Sequence, residues 1–193
     1  RSVYSILLGA VTTPGLLSLM SDNGGIAQTA AFSAGRFDAI AAGDIVLGQL
    51  NTLDTVYDVT AGGVFSLRTA GALELDGRIA ADDRVTFNTG GSLTQIGNTV
   101  IATDRLEATA TGGIRLLNHN RVGAVSLDAG GNDIRFRNTG NIAINTINSP
   151  TGTVELISNL GQITQQASGG LIVGSLVLNA GNGVALYNTD NQI

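Results

Sequence analysis

Gly91-Ser92-Leu93-Thr94-Gln95 returns along the chain as Gly161-Gln162-Ile163-Thr164-Gln165, with a looser copy at Gly25-Ile26-Ala27-Gln28. The phrase therefore ends on Gln28, Gln95 and Gln165, at intervals of 67 and 70 along the sequence. Their surroundings match as well. Leu106-Glu107-Ala108 answers Leu176-Val177-Leu178, and Gly113-Ile114-Arg115-Leu116 answers Gly183-Val184-Ala185-Leu186, with Asn118 and Asn188 following at the same offset. Self-similarity at long period is the signature of a stacked array. An array offers a long regular surface more readily than a single catalytic cleft.

Within the repeat the hydrophobic pattern has period two. Apolar-x-apolar triads occur at Phe65-Ser66-Leu67, Leu73-Glu74-Leu75, Val85-Thr86-Phe87, Ile114-Arg115-Leu116, Val125-Ser126-Leu127, Ile134-Arg135-Phe136, Ile142-Ala143-Ile144 and Val154-Glu155-Leu156. The outer members face a core and the middle one faces solvent, as in a half-buried strand. Gly, Asn, Thr and Asp fill the intervals as turn formers, and no amphipathic helix competes.

Short strands at a spacing of roughly 8–12 residues also suit a sandwich or a barrel. The step between equivalent triads decides the matter. Leu73, Leu93, Ile114, Ile134 and Val154 follow at steps of 20, 21, 20 and 20, and Ile142, Ile163 and Val184 at steps of 21. A sandwich has no reason to keep a constant step, whereas a solenoid must lay each coil on the one below. The expected fold is all-β, a parallel β-helix with coils of about 20–23 residues, running as one repeat segment over residues 1–193. The 67-to-70 period is not a multiple of 20 or 21. It asks for three coils of about 23 residues or for loop insertions at turns, with Asn148-Ser149-Pro150-Thr151-Gly152 a candidate insertion.

Asn118, Asn138 and Asn159 stand one coil step apart, at steps of 20 and 21. Stacked amides at such positions are expected to bond up and down a column as a ladder.

Composition narrows the function. Hydrophobic residues make up 43% of the 193, enough for a core, while aromatics are 4%. With no Cys there are no disulfides and no thiolate metal sites, so a secreted version would need stability from stacking alone. Net charge is −5 and all ten basic residues are Arg, without a basic run; nucleic-acid binding and an anionic membrane surface are not expected. Arg1 followed by Ile6-Leu7-Leu8 has a trace of a signal peptide, but the apolar run is short and the pattern continues as strands. The chain starts without Met and stops at Asn191-Gln192-Ile193, inside the matching phrase, so both ends are expected to be cuts through a longer exoprotein.

The search for chemistry finds little. The chain has no Lys, hence no phosphate-binding P-loop, and no GxGxxG fingerprint; His119 is the single histidine. Asp82-Asp83, with Asp104, Glu107, Asp128 and Asp133 on following coils, are the carboxylates a polysaccharide-cleaving β-helix would need. They sit in turns beside Arg84 and Arg105, where solvation and ion pairing explain them. Gly130-Gly131-Asn132-Asp133 matches part of a calcium-binding nonapeptide but occurs once. No catalytic, cofactor or metal site is expected, and the chain is read as not an enzyme. The arginines carry more information. Arg115 and Arg135 are middle residues of stacked triads, Arg137 extends them, and Glu155 follows in the same column. An interstrand ion pair is the simple expectation. A surface-contact face for glycans is the sharper one.

Phrases of the form Gly-x-Ile-Thr-Gln, then Leu-x-Leu-x-Ala, Gly-x-Val-x-Leu and Asn-x-x-Asn-x-Ile resemble the repeats of filamentous-haemagglutinin-like adhesins of bacterial two-partner secretion, and of related autotransporter passengers. The resemblance is best over residues 93–121 and 161–193, with a divergent copy at 25–53, about half of the chain. It implies a right-handed β-helix shaft on the bacterial cell surface or secreted, exported through an outer-membrane transporter partner. It also implies a role in adhesion, cell-cell aggregation or biofilm formation, with surface glycans, proteins or identical rods as partners. The Asn-Pro-Asn signature of the secretion domain of such proteins is not found.

Overall fold

Every triad alternates as the pattern requires, outer residues buried and middle residues facing out. The computed structural model describes residues 4–193, and Arg1 lies outside the described residues. Sixteen strands belong to one sheet whose pairings are parallel, wound as a solenoid of about nine turns with no helix. Ile6–Leu8 is a strand paired with Ile26–Gln28, so that apolar run is part of the coil stack.

Both predicted columns are present. Leu73 pairs with Leu93, Leu93 with Ile114, Ile114 with Ile134 and Ile134 with Val154; Ile142 pairs with Ile163 and Ile163 with Val184. One coil reads as three strand segments, for example Leu73–Leu75, Arg78–Ala81 and Arg84–Thr89. Each segment sends aliphatics inward, and Phe37, Phe65, Phe87 and Phe136 are the largest of the fully buried side chains. Phe65 and Phe87 meet edge to face at 5.7 Å, a favoured geometry for aromatic pairs.

The long period has a different origin from either one expected. Ile26 rises through Ile45 and Phe65 to Val85 in three coil steps, and Leu93 lies one strand segment beyond Val85. Leu93 rises in the same way through Ile114 and Ile134 to Val154, and Ile163 lies one segment beyond. Each repeat is thus three coils plus one strand segment, and the phrase moves to the next side of the solenoid each time. Asn148-Ser149-Pro150-Thr151-Gly152 adds nothing against the preceding coil, where Ile134 pairs with Val154 in one ordinary step. Against the following coil residues 150–152 bulge, since Ser149 pairs with Val173 and Thr153 with Ser175. Extra residues also sit directly after the phrase glutamine. Gln165 pairs with Ile144 but Gly170 with Thr146, so residues 166–169 bulge out.

The asparagine ladder also differs from the expected column. A shift between Leu116 and Asn120 places Asn120, not Asn118, beside Asn138, and Ser158, not Asn159, follows. Asn120, Asn138 and Ser158 are buried. Asn159 is exposed, and the Asn118 amide donates to the Gly97 carbonyl. Asn138 satisfies its own bend: its Oδ1 accepts from Val122 N at 2.9 Å and its Nδ2 donates to the Val122 and Asn141 carbonyls. Coil-to-coil side-chain bonds do exist, but aspartates make several of them. Asp44, Asp58 and Asp133 accept from the backbone N–H of Val64, Arg78 and Thr153, each on the next coil.

The recurring glutamine has a partner that spacing alone missed. Gln28 and Asn51 exchange two amide hydrogen bonds of 2.9 and 3.1 Å. Gln95 and Asn120 do the same at 2.8 and 3.2 Å, and Gln165 and Asn191 at 2.7 and 3.0 Å. The asparagine oxygen also caps a backbone N–H, of Phe32 in the first clip and Ile101 in the second. A buried bend leaves backbone groups without ladder partners, and an amide that donates and accepts satisfies both kinds.

Candidate functional site

Two strand segments and the turns that precede them form an open lateral groove of about 700 Å³. Ile114 and Ile134 anchor the segments inward, which turns Arg115 and Arg135 outward on adjacent coils. Thr94 stands one coil below Arg115 in the same outward column. The turns contribute Asn132 and Asp133 to one wall. Gly113 and Gly131 line the groove at φ of +97° and +104°, backbone that side-chain-bearing residues rarely adopt. A Cβ on Gly131 would also stand 2.7 Å from the Thr151 hydroxyl.

The structure brings together two of the three arginines expected on this face. Arg135 meets Glu155 at 3.3 Å, the interstrand pair that the column implied. Among the described residues Arg115 has no carboxylate partner. Arg137 does not line the groove; it lies half-buried beside Ile157 with its Nε unpartnered. The groove lining carries Arg115, Arg135 and Asp133, and Glu155 pairs with Arg135. Its charges therefore nearly balance, and Arg115 is the guanidinium left for a ligand.

Three of the six candidate carboxylates, Glu107, Asp128 and Asp133, are engaged by neighbouring groups. Glu107 lies between Arg84 and Arg105 at 3.7 and 3.6 Å. Asp128 accepts from Gly130 N and from the Asn148 amide, and Asp133 accepts from Thr153 N. Asp82 and Asp83 are exposed at a bend, and Asp104 and His119 are exposed within the strands Val100–Ala110 and Ile114–Asp128. Among the described residues no three His, Cys, Asp or Glu side chains are grouped to hold a metal. The arrangement presents hydrogen-bond donors and one uncommitted cation to solvent, which is equipment for binding.

A family model described as Repeats of unknown function (DUF5649) matches residues 61–128 and 131–193, and the chain belongs to that family. Each of the two copies encloses one amide clip, Gln95 with Asn120 and Gln165 with Asn191. No curated protein and no solved structure matches the chain.

Proposed function

We propose that this member of the repeat family is a non-enzymatic shaft segment of a secreted or cell-surface bacterial exoprotein of the filamentous-haemagglutinin type. Its work is to hold binding surfaces away from the cell in adhesion, aggregation or biofilm formation. One observation carries the reading: a continuous parallel ladder of about nine turns, closed at its bends by amide clips that recur once per repeat. Bending such a rod breaks backbone hydrogen bonds on one side and opens a packed core on the other, so the stack is stiff. It is stable without disulfides because each coil buries its neighbours. Export through an outer-membrane transporter partner belongs to the same reading and rests on the resemblance of the repeats.

Two measurements test it. Small-angle scattering of the isolated chain should give a rod of about 40–45 Å, nine coils at strand spacing; a compact globule would overturn the shaft. Antibody against the chain should label intact cells of the source organism, and label found only after lysis would sink the surface assignment. The groove favours a second reading, in which the shaft itself also binds laterally.

A further inference from the structure

We propose that the Arg115–Arg135 groove binds a saccharide carrying a single carboxylate, such as a uronic or sialic-type sugar; this rests on the lateral-binding reading. Five observations carry it. First, the groove of about 700 Å³ falls within the range of small-ligand sites, about 300–1,000 Å³. Second, its cations are unequal: Arg135 is held by Glu155 at 3.3 Å, while Arg115 has no carboxylate among the described residues. One free guanidinium takes one carboxylate, as a two-pronged charge-assisted pair.

Third, the remaining polar atoms suit sugar hydroxyls. The Ser92 and Thr94 hydroxyls line the groove without a hydrogen-bond partner among the described residues. The Asn132 amide donates to the Thr111 and Ala129 carbonyls, which leaves its oxygen as an acceptor. Fourth, the net charge of −5 opposes a dense polyanion, since repulsion grows with every added charge. A sparsely charged glycan avoids this. Fifth, the solenoid does not require these side chains. At the equivalent bend of the first copy, aligned through Gln28–Asn51 and Gln95–Asn120, Ala27 and Val46 stand where Thr94 and Arg115 do.

The test is an amide-resolved NMR titration of the intact chain with a hyaluronan disaccharide, alongside maltose and inorganic sulfate. Shifts should centre on Thr94, Gly113, Arg115 and Asn132. Arg115→Val, which copies the first-copy bend, should weaken binding about ten-fold through loss of one charged hydrogen-bonded contact. Glu155→Gln, which releases Arg135, should strengthen it. Arg78→Val, outside the groove, should change nothing. Equal binding of maltose, sulfate shifting the same amides at the same midpoint, or an unaffected Arg115→Val would each overturn the proposal. So would sedimentation showing that Arg115→Val abolishes a dimer, which would make the groove a contact between copies. Melting curves of the variants report folding separately. A rod by scattering with no binding removes the groove alone, whereas a globule removes the shaft as well.

Discussion

The bend at residues 25–46 and the bend at residues 92–115 share a backbone and differ in surface. Inward, Ile26 and Leu93 are equivalent, as are Ile45 and Ile114, and all four are buried. Each bend is closed by a Gln–Asn clip. Outward, the first stacks Leu7, Ala27, Val46 and Ser66 on successive coils. The second stacks Glu74, Thr94, Arg115 and Arg135. The first therefore frames a small hollow of about 250 Å³ around apolar side chains, and the second a polar, arginine-bearing groove of about 700 Å³. The difference separates two tasks. Inward residues and clips hold the coil, while the outward residue touches neither the core nor the backbone ladder and is free to vary with function.

That separation can be broken most forcefully from the inside. Ile45→Ala and Ile114→Ala should each cost about 2–5 kcal/mol by urea unfolding, as for other large-to-small core changes. If one bend tolerated the change, the two would not be the same structural unit. Next come the clips. Gln95→Ala removes both clip bonds and the acceptor of the Asn118 N–H at a buried site and should cost about 1–3 kcal/mol. Gln28→Ala should cost less, because Gln28 is only half-buried. The asparagine column gives a sharper contrast: Asn138→Ala should fall in the same range of about 1–3 kcal/mol, and Asn159→Ala within about 0.5 kcal/mol. Equal melting curves for that pair would restore the evenly spaced ladder. Exchanging the outward residues, Val46→Arg together with Arg115→Val, should leave stability within about 0.5 kcal/mol per site. A comparably small effect belongs to Glu155→Gln, whose half-exposed pair with Arg135 is worth less than about 1 kcal/mol; scans at low and high salt should nearly coincide.

Much of this was legible without coordinates. Alternation in Ile134-Arg135-Phe136 and its neighbours requires strands, and the constant step from Leu73 to Val154 requires them to stack. The ion pair of Arg135 with Glu155 follows from the same column. The clips were half legible. Gln28, Gln95 and Gln165 announce themselves by repetition, and their partners Asn51, Asn120 and Asn191 recur at nearly the same intervals. Nearby asparagines such as Asn118 and Asn138 keep a more regular step, and that regularity led to the wrong column. A small register shift in a bend moves an amide from solvent to core without leaving a trace in composition.

Sequence alone determined the inward pattern, and with it the solenoid, because period-two burial and a constant coil step admit few other solutions. It also determined the length of the longer repeat, through the return of its glutamine. Only the tertiary structure decided how the two lengths combine. Three coils do not use up a repeat, so the surplus strand segment turns each copy onto the next side of the rod. The same registers decided which arginines meet. Arg115 and Arg135 share a groove because the strand register sets them side by side and the glycine-rich turns ahead of them add its wall, while Arg137, just along the strand, lies half-buried outside it. Side-chain direction at a bend depends on where the neighbouring coils place their backbone, and a single strand of sequence does not carry that information.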